Sequence, residues 1–155
     1  MNPLALLATL TMLLAPLPPA VAGDAPESVF DEALARAVGA DDHGMRKYVL
    51  VVLKTGPSPV PAGPERDEMF RGHFANMKRL AEEGKLALAG PLDGVDAWRG
   101  LFVFAVPTIE EAAALAATDP VIVRGEMVAE YHTFYASAAL MLVRDGHAKV
   151  ARQSF

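Results

Sequence analysis

Four histidines hold most of this chain's capacity to move a proton near neutral pH, because imidazole titrates there without help. His43 lies in an acidic turn and His147 in the C-terminal tail, where water solvates them. His73 is different. It follows Phe70 by three residues and precedes Met77 by four, so it shares their apolar helical stripe. Two readings compete for it: a core imidazole held by a backbone carbonyl, or a general acid or base at the edge of a helix–sheet interface. The second requires a partner, usually a carboxylate, that fixes the tautomer and orients the ring. Asp119 is a candidate, since the Asp119-Pro120 step places it at the end of another helix. Its plain alternative is a turn aspartate bonded to nearby backbone. Glu130 and His132, two apart on a strand, face one way and offer two metal ligands; a partly wet sheet face or a dimer rim explains them equally. Two ligands fall short of a site, and no metal is expected.

Other chemistries lack their residues. The chain contains no cysteine, hence no thiolate nucleophile, thiolate metal site or disulfide. It has no GxGxxG, P-loop, GxSxG or HExxH pattern, so nucleotide cofactors and serine-hydrolase chemistry have no support and no cofactor is expected. A net charge of −5 without a basic cluster repels a phosphate backbone, which argues against nucleic acid as a partner. The 155 residues, 52% hydrophobic and 21% charged, suffice for one globular core.

The elements that must position His73 and Asp119 follow from pattern. Residues 1–22 carry no charged side chain, and an apolar run over 4–14 ends at Pro16, Pro18 and Pro19. Ala20-Val21-Ala22 then precedes Gly23, which predicts a signal peptide cleaved after Ala22 and a secreted or periplasmic protein. The run is shorter than the ~20 residues a membrane span needs, so no membrane association is expected after cleavage, with an uncleaved membrane anchor as the alternative reading. Residues 23–44 form an N-terminal helix and linker, 45–143 the domain and 144–155 a tail.

The short helix is expected over 28–38, capped by Ser28, with Asp31 in its first turn, Phe30, Ala33, Leu34 and Ala37 on one face and Gly39 as its stop. Residues 48–53 are continuously apolar and β-branched, a central strand buried on both faces. Pro57, Pro59 and Pro61 make 56–63 a loop. Pro64 opens a helix with Glu65, Asp67 and Glu68 at its positive end, Phe70, His73, Met77, Leu80 and Ala81 on its stripe, and Gly84 as its stop. Strands follow at 85–89 and 101–106, separated by a loop that contains Trp98 and is long enough to border a binding site. Thr108 and Glu111 cap a helix through Ala117, residues 127–134 form a fourth strand, and 136–143 with the tail read as helical. The order β-α-β-β-α-β is the ferredoxin-like α+β arrangement, an antiparallel sheet with both helices on one face. Few elements remain to cover the other face, so a homodimer through the open sheet face is expected.

Several runs together resemble the YCII-related family: HGMRKYVLVVLKTGP, the His73 helix, EEGKLALAGPL, RGLFVFAV, the ATDP turn with RGEMVAEYHTFY, and ASAAL. The likeness covers residues 43–142 and is greatest to exported members with a signal and an extra N-terminal helix. It implies a ferredoxin-like fold, often dimeric and related to dimeric α/β barrels. It also implies a His–Asp pair in a pocket, which maps onto His73 and Asp119, with Gly90-Pro91 as a strand-end motif shaping that pocket. One branch that the chain resembles removes chloride from a chlorinated hydroxyquinol; Thr133-Phe134 stands here where Pro-Trp is common. The expected function is a small-molecule enzyme, a lyase, isomerase or dehalogenase of cyclic or aromatic compounds. Phe70, Met77, Trp98 and Phe102 would then wall a ring-shaped substrate. The rival is a non-catalytic exported dimer that binds a small ligand or serves a structural role. One observation separates them: whether His73 and Asp119 meet in a cavity.

Overall fold

The computed structural model describes residues 30–153; the expected signal at 1–22 and the Ser28 cap lie outside the described residues. Among the described residues no helix is long and apolar enough to cross a membrane. The first helix, α1, spans Glu32–Val38 and starts later than the pattern predicts. Asp31 is its cap rather than a first-turn residue: the carboxylate accepts the Leu34 N–H at 2.9 Å, and Gly39, at φ 69°, ends the helix in left-handed geometry.

Then follow β1 (Met45–Thr55), α2 (Pro64–Glu82), β2 (Leu86–Pro91), a 3-10 turn (Val95–Ala97), β3 (Trp98–Phe104) and α3 (Ile109–Ala116). A single-turn helix α4 (Pro120–Val123), β4 (Met127–Ser137), a second 3-10 segment (Ala138–Leu142) and α5 (Val143–Val150) complete the chain. The strand order β2-β3-β1-β4, antiparallel at every step, is the ferredoxin-like one. β1 lies inside the sheet, which accounts for its near-continuous apolar sequence. Val49, Val51 and Leu53 turn to the helical side with Phe102, Phe104 and Met127; Tyr48 packs on the other face with Val103 and Ala105.

Several boundaries move. Gly90 and Pro91 belong to β2 and Trp98 opens β3, because the two strands pair as far as Pro91 opposite Gly100. β4 runs on through Ala136 to Ser137, which pair with Arg46 and Met45, so the helical tail begins only after them. The residues after Pro120 make a turn of helix of their own, with Asp119 as cap.

That turn matters because it lies antiparallel along α2. Glu65 pairs with Arg124, Pro120 packs on Gly72, Asp119 meets His73, and the Thr118 hydroxyl donates to Asn76 Oδ1 at 3.1 Å. As the number rises along α2, the partner's number falls. Gly72 permits the approach: a Cβ there would stand 3.0 Å from Pro120 Cγ.

The helix-free face is partly covered from within the chain. Leu140 and Met141, from the second 3-10 segment, pack on the cluster of Tyr48, Ala87, Val103 and Ala105, and the Tyr48 hydroxyl donates to the Ser137 carbonyl at 3.0 Å. Burial pushes the Tyr48 phenol up from its usual pKa. The other end of this face is polar. Lys54 Nζ donates to Glu130 Oε2 at 3.0 Å, and His132 Nε2 lies 2.9 Å from Glu130 Oε1.

Candidate active site

A helical stripe at i, i+3, i+4 and i+7 brings Phe70, His73, Phe74 and Met77 to one side of α2, above the sheet. Their opposing wall comes from Leu53 of β1, Ala89 to Leu92 at the end of β2, Arg99, Gly100 and Phe102 of β3, and Met127 of β4. Between them lies a cavity of about 550 Å³. Aromatic rings pack around the imidazole: Phe70 edge-on at 6.0 Å, Phe102 at 6.0 Å and Phe74 at 5.3 Å between centroids.

Asp119 is fully buried, and its two oxygens lie 3.0 and 2.8 Å from His73 Nδ1. Oδ1 also accepts the Val121 N–H at 3.1 Å. One Asp119 side chain therefore makes both the turn contact and the contact with the His73 ring. A carboxylate only accepts hydrogen bonds, so Nδ1 is the donor and neutral His73 carries its lone pair on Nε2. Among the described residues Nε2 has no protein partner and no buried side-chain nitrogen or oxygen is left unpaired, so Nε2 opens onto the cavity. A base with its rear nitrogen held by a buried anion can accept a proton and be stabilised as imidazolium.

The residues expected to wall the cavity divide. Phe70, Met77, Gly90, Pro91 and Phe102 all line it; Trp98 does not and is 42% exposed. The cause is a β-bulge: Leu53 pairs with Gly100 but Lys54 pairs with Trp98, leaving Arg99 as the extra residue. The bulge turns the alternation over, so that Arg99 rather than Trp98 joins Gly100 and Phe102 at the wall. Glu130 and His132 pair with one another on the opposite sheet face, away from His73. Among the described residues no three histidine, aspartate or glutamate side chains converge as metal ligands would.

The sequence profile of the YCII-related domain matches residues 47–134, more than half of the chain. The chain belongs to the YCII-related family. No curated protein matches it.

In this YCII-related domain, one buried group escaped the sequence pattern altogether. Glu126, 1% exposed, precedes β4 and sits at the Arg99 end of the cavity wall. Its Oε2 accepts the Val60 N–H at 2.7 Å, and its Oε1 lies 2.8 Å from Arg66 and 3.7 Å from Arg99. Burial pushes the Glu126 carboxyl up, but the Arg66 and Val60 hydrogen bonds and the charges of Arg66 and Arg99 outweigh it and hold the pKa below the usual glutamate range. Backbone carbonyls beside this carboxylate, together with Arg66, also hold the proline-rich loop. Gly56 N–H donates to the Glu126 carbonyl at 2.8 Å, Ser58 N–H to the Gly125 carbonyl at 3.0 Å, and Arg66 to the Val60 carbonyl at 2.7 Å. No local sequence signal marks a buried glutamate. The available sign was two arginines and one glutamate in segments that the topology brings together.

Proposed function

We propose that this protein is a small-molecule enzyme in which His73 transfers a proton and Asp119 orients and stabilises its ring. The observation that carries this reading is the fully buried Asp119 carboxylate on Nδ1, at 2.8 and 3.0 Å, which leaves Nε2 to an apolar cavity of about 550 Å³. A purely structural histidine gains nothing from a free nitrogen facing a cavity of that size. Nε2 would take a proton from a C–H or O–H of the bound molecule, and the electron pair left behind would expel a leaving group or move a double bond. In an isomerisation the imidazolium returns the proton at another atom of the same molecule; in an elimination it gives the proton to a basic leaving group or, where halide departs as the anion, to solvent. Eliminations (dehydrohalogenation included) and isomerisations of cyclic or aromatic compounds share this step, and the aromatic walls at Phe70 and Phe102 suit a flat ring.

The proposal includes export after removal of residues 1–22 and pairing of two copies through the sheet face left half-covered at Leu50, Leu101 and Phe134. The mature N-terminus by mass spectrometry and the solution mass test these two parts. The catalytic part is tested by screening the mature protein against cyclic acids, lactones and haloaromatics beside His73→Ala. Loss of turnover by about 10²- to 10⁴-fold in the variant is expected for a general acid–base residue. Equal turnover in variant and parent overturns the reading, and saturable binding without turnover in the parent makes the domain a ligand-binding module instead.

A further inference from the structure

Arg99 has hydrogen-bond donors that the fold does not use. Its neighbour Glu126 is already engaged at both oxygens, by the Val60 N–H at 2.7 Å and by Arg66 at 2.8 Å. Arg99 approaches only to 3.7 Å, beyond hydrogen-bond reach, and its guanidinium makes no hydrogen bond with the described residues. One carboxylate between two guanidiniums leaves one positive charge uncompensated. Arg66 is further committed, donating to the Val60 carbonyl and lying over the Phe70 ring at 4.9 Å. The surplus therefore falls on Arg99, which of the two arginines is the one that lines the cavity, turned there by the β-bulge. Around it the walls are apolar: Phe70, Met77, Pro91, Leu92 and Phe102. A structural ion pair would be satisfied by Arg66 alone. A guanidinium fork at an apolar cavity, with its donors free, matches a planar oxyanion.

We infer that the cavity binds small organic acids, with the carboxylate forked on Arg99 and the apolar body against Phe70, Met77 and Phe102. The further statement that this places the acid's reacting atoms at His73 Nε2 rests on the proposed function; the acid site itself does not. Glu126 then acts as a positioning residue that holds Arg99 at the wall without consuming its donors. Anionic ligands also gain from the weak screening of a cavity with apolar walls.

The test is calorimetric binding of benzoate and cyclohexanecarboxylate, each beside its neutral amide, to the mature protein and to Arg99→Gln, Arg99→Lys and His73→Ala. The parent is expected to prefer each acid over its amide by about tenfold or more, as a charge-assisted hydrogen-bonded pair provides. Arg99→Gln should lose about 10- to 100-fold in acid affinity, with unchanged amide affinity and cooperative unfolding retained, and Arg99→Lys should fall between. His73→Ala should keep the preference for acid. Acids that bind no better than amides to the parent, or not at all, overturn the inference, as does Arg99→Gln binding acids like the parent. A failed turnover test at His73 leaves this binding result standing, and a lost acid preference leaves proton transfer at His73 standing.

Discussion

Replacing Glu126 by glutamine keeps the side chain's shape and removes one buried charge between two arginines. The glutamine oxygen can still accept the Val60 N–H, now 2.7 Å from Oε2, so that bond need not be lost. What is lost is the charge-assisted contact with Arg66 at 2.8 Å, for which about 1.5–3 kcal/mol is usual. The side chains of Arg66 and Arg99 are 26% and 30% exposed, so water screens part of the charge left unbalanced. The lower half of the range applies, and about 2 kcal/mol is expected. Glu126→Ala also orphans the Val60 N–H and should cost about 3 kcal/mol, the lower end for breaking a buried ion pair. In a chain of this size about 2 kcal/mol lowers the unfolding midpoint by roughly 4–8 °C, readable by thermal or urea denaturation at neutral pH. The pH dependence has a definite sign. The native Glu126 pKa lies below its unfolded value, so its contribution is complete above the ordinary glutamate pKa and disappears as the pH falls through the depressed native one. The gap between parent and Glu126→Gln should therefore be widest near neutrality and close on the acid side. Equal midpoints at neutral pH, or a gap that persists unchanged into acid, would refute the reasoning.

Three further outcomes follow from particular contacts. Asp119→Asn can keep the Val121 N–H bond but loses the anion behind His73, so turnover should fall by about 10³-fold in a protein that still melts cooperatively. Near-parental turnover would remove Asp119 from the mechanism. Gly72→Leu drives a side chain into Pro120, whose Cγ would already stand 3.0 Å from a Cβ. Overpacking of about 1–3 kcal/mol exceeds the roughly 0.8 kcal/mol gained in helix propensity, so stability and His73-dependent turnover should fall together. Gly56→Ala would put a Cβ 2.1 Å from the Gly125 carbonyl oxygen, a backbone atom, so the loop must detach. Faster proteolysis within 56–63 and a loss of about 2 kcal/mol in urea unfolding are expected.

Periodicity and punctuation carried most of the architecture. The apolar run at 48–53 can lie only in a strand covered on both sides, and it is the interior strand β1. Pro64 at the first turn, the stripe through His73 and Gly84 beyond the last turn delimit α2. The Thr108 cap and the Asp119-Pro120 break bracket the next helix for the same local reason. These signals are legible because burial on a helix or strand repeats at the period of the backbone itself.

The site is a different matter. That Asp119 reaches His73 depends on a one-turn helix laid antiparallel along α2, with Gly72 admitting Pro120, and no one-dimensional pattern contains that approach. Trp98 and Arg99 exchange roles through one unpaired residue in a strand, which local composition does not announce. Glu126, which no sequence pattern singles out, is buried because Val60, Arg66 and Arg99 converge on it from a loop, a helix and a strand. Local energetics choose the elements, whereas whether a charge is buried, paired or left over depends on which distant segments the packed chain brings within a few ångströms of it.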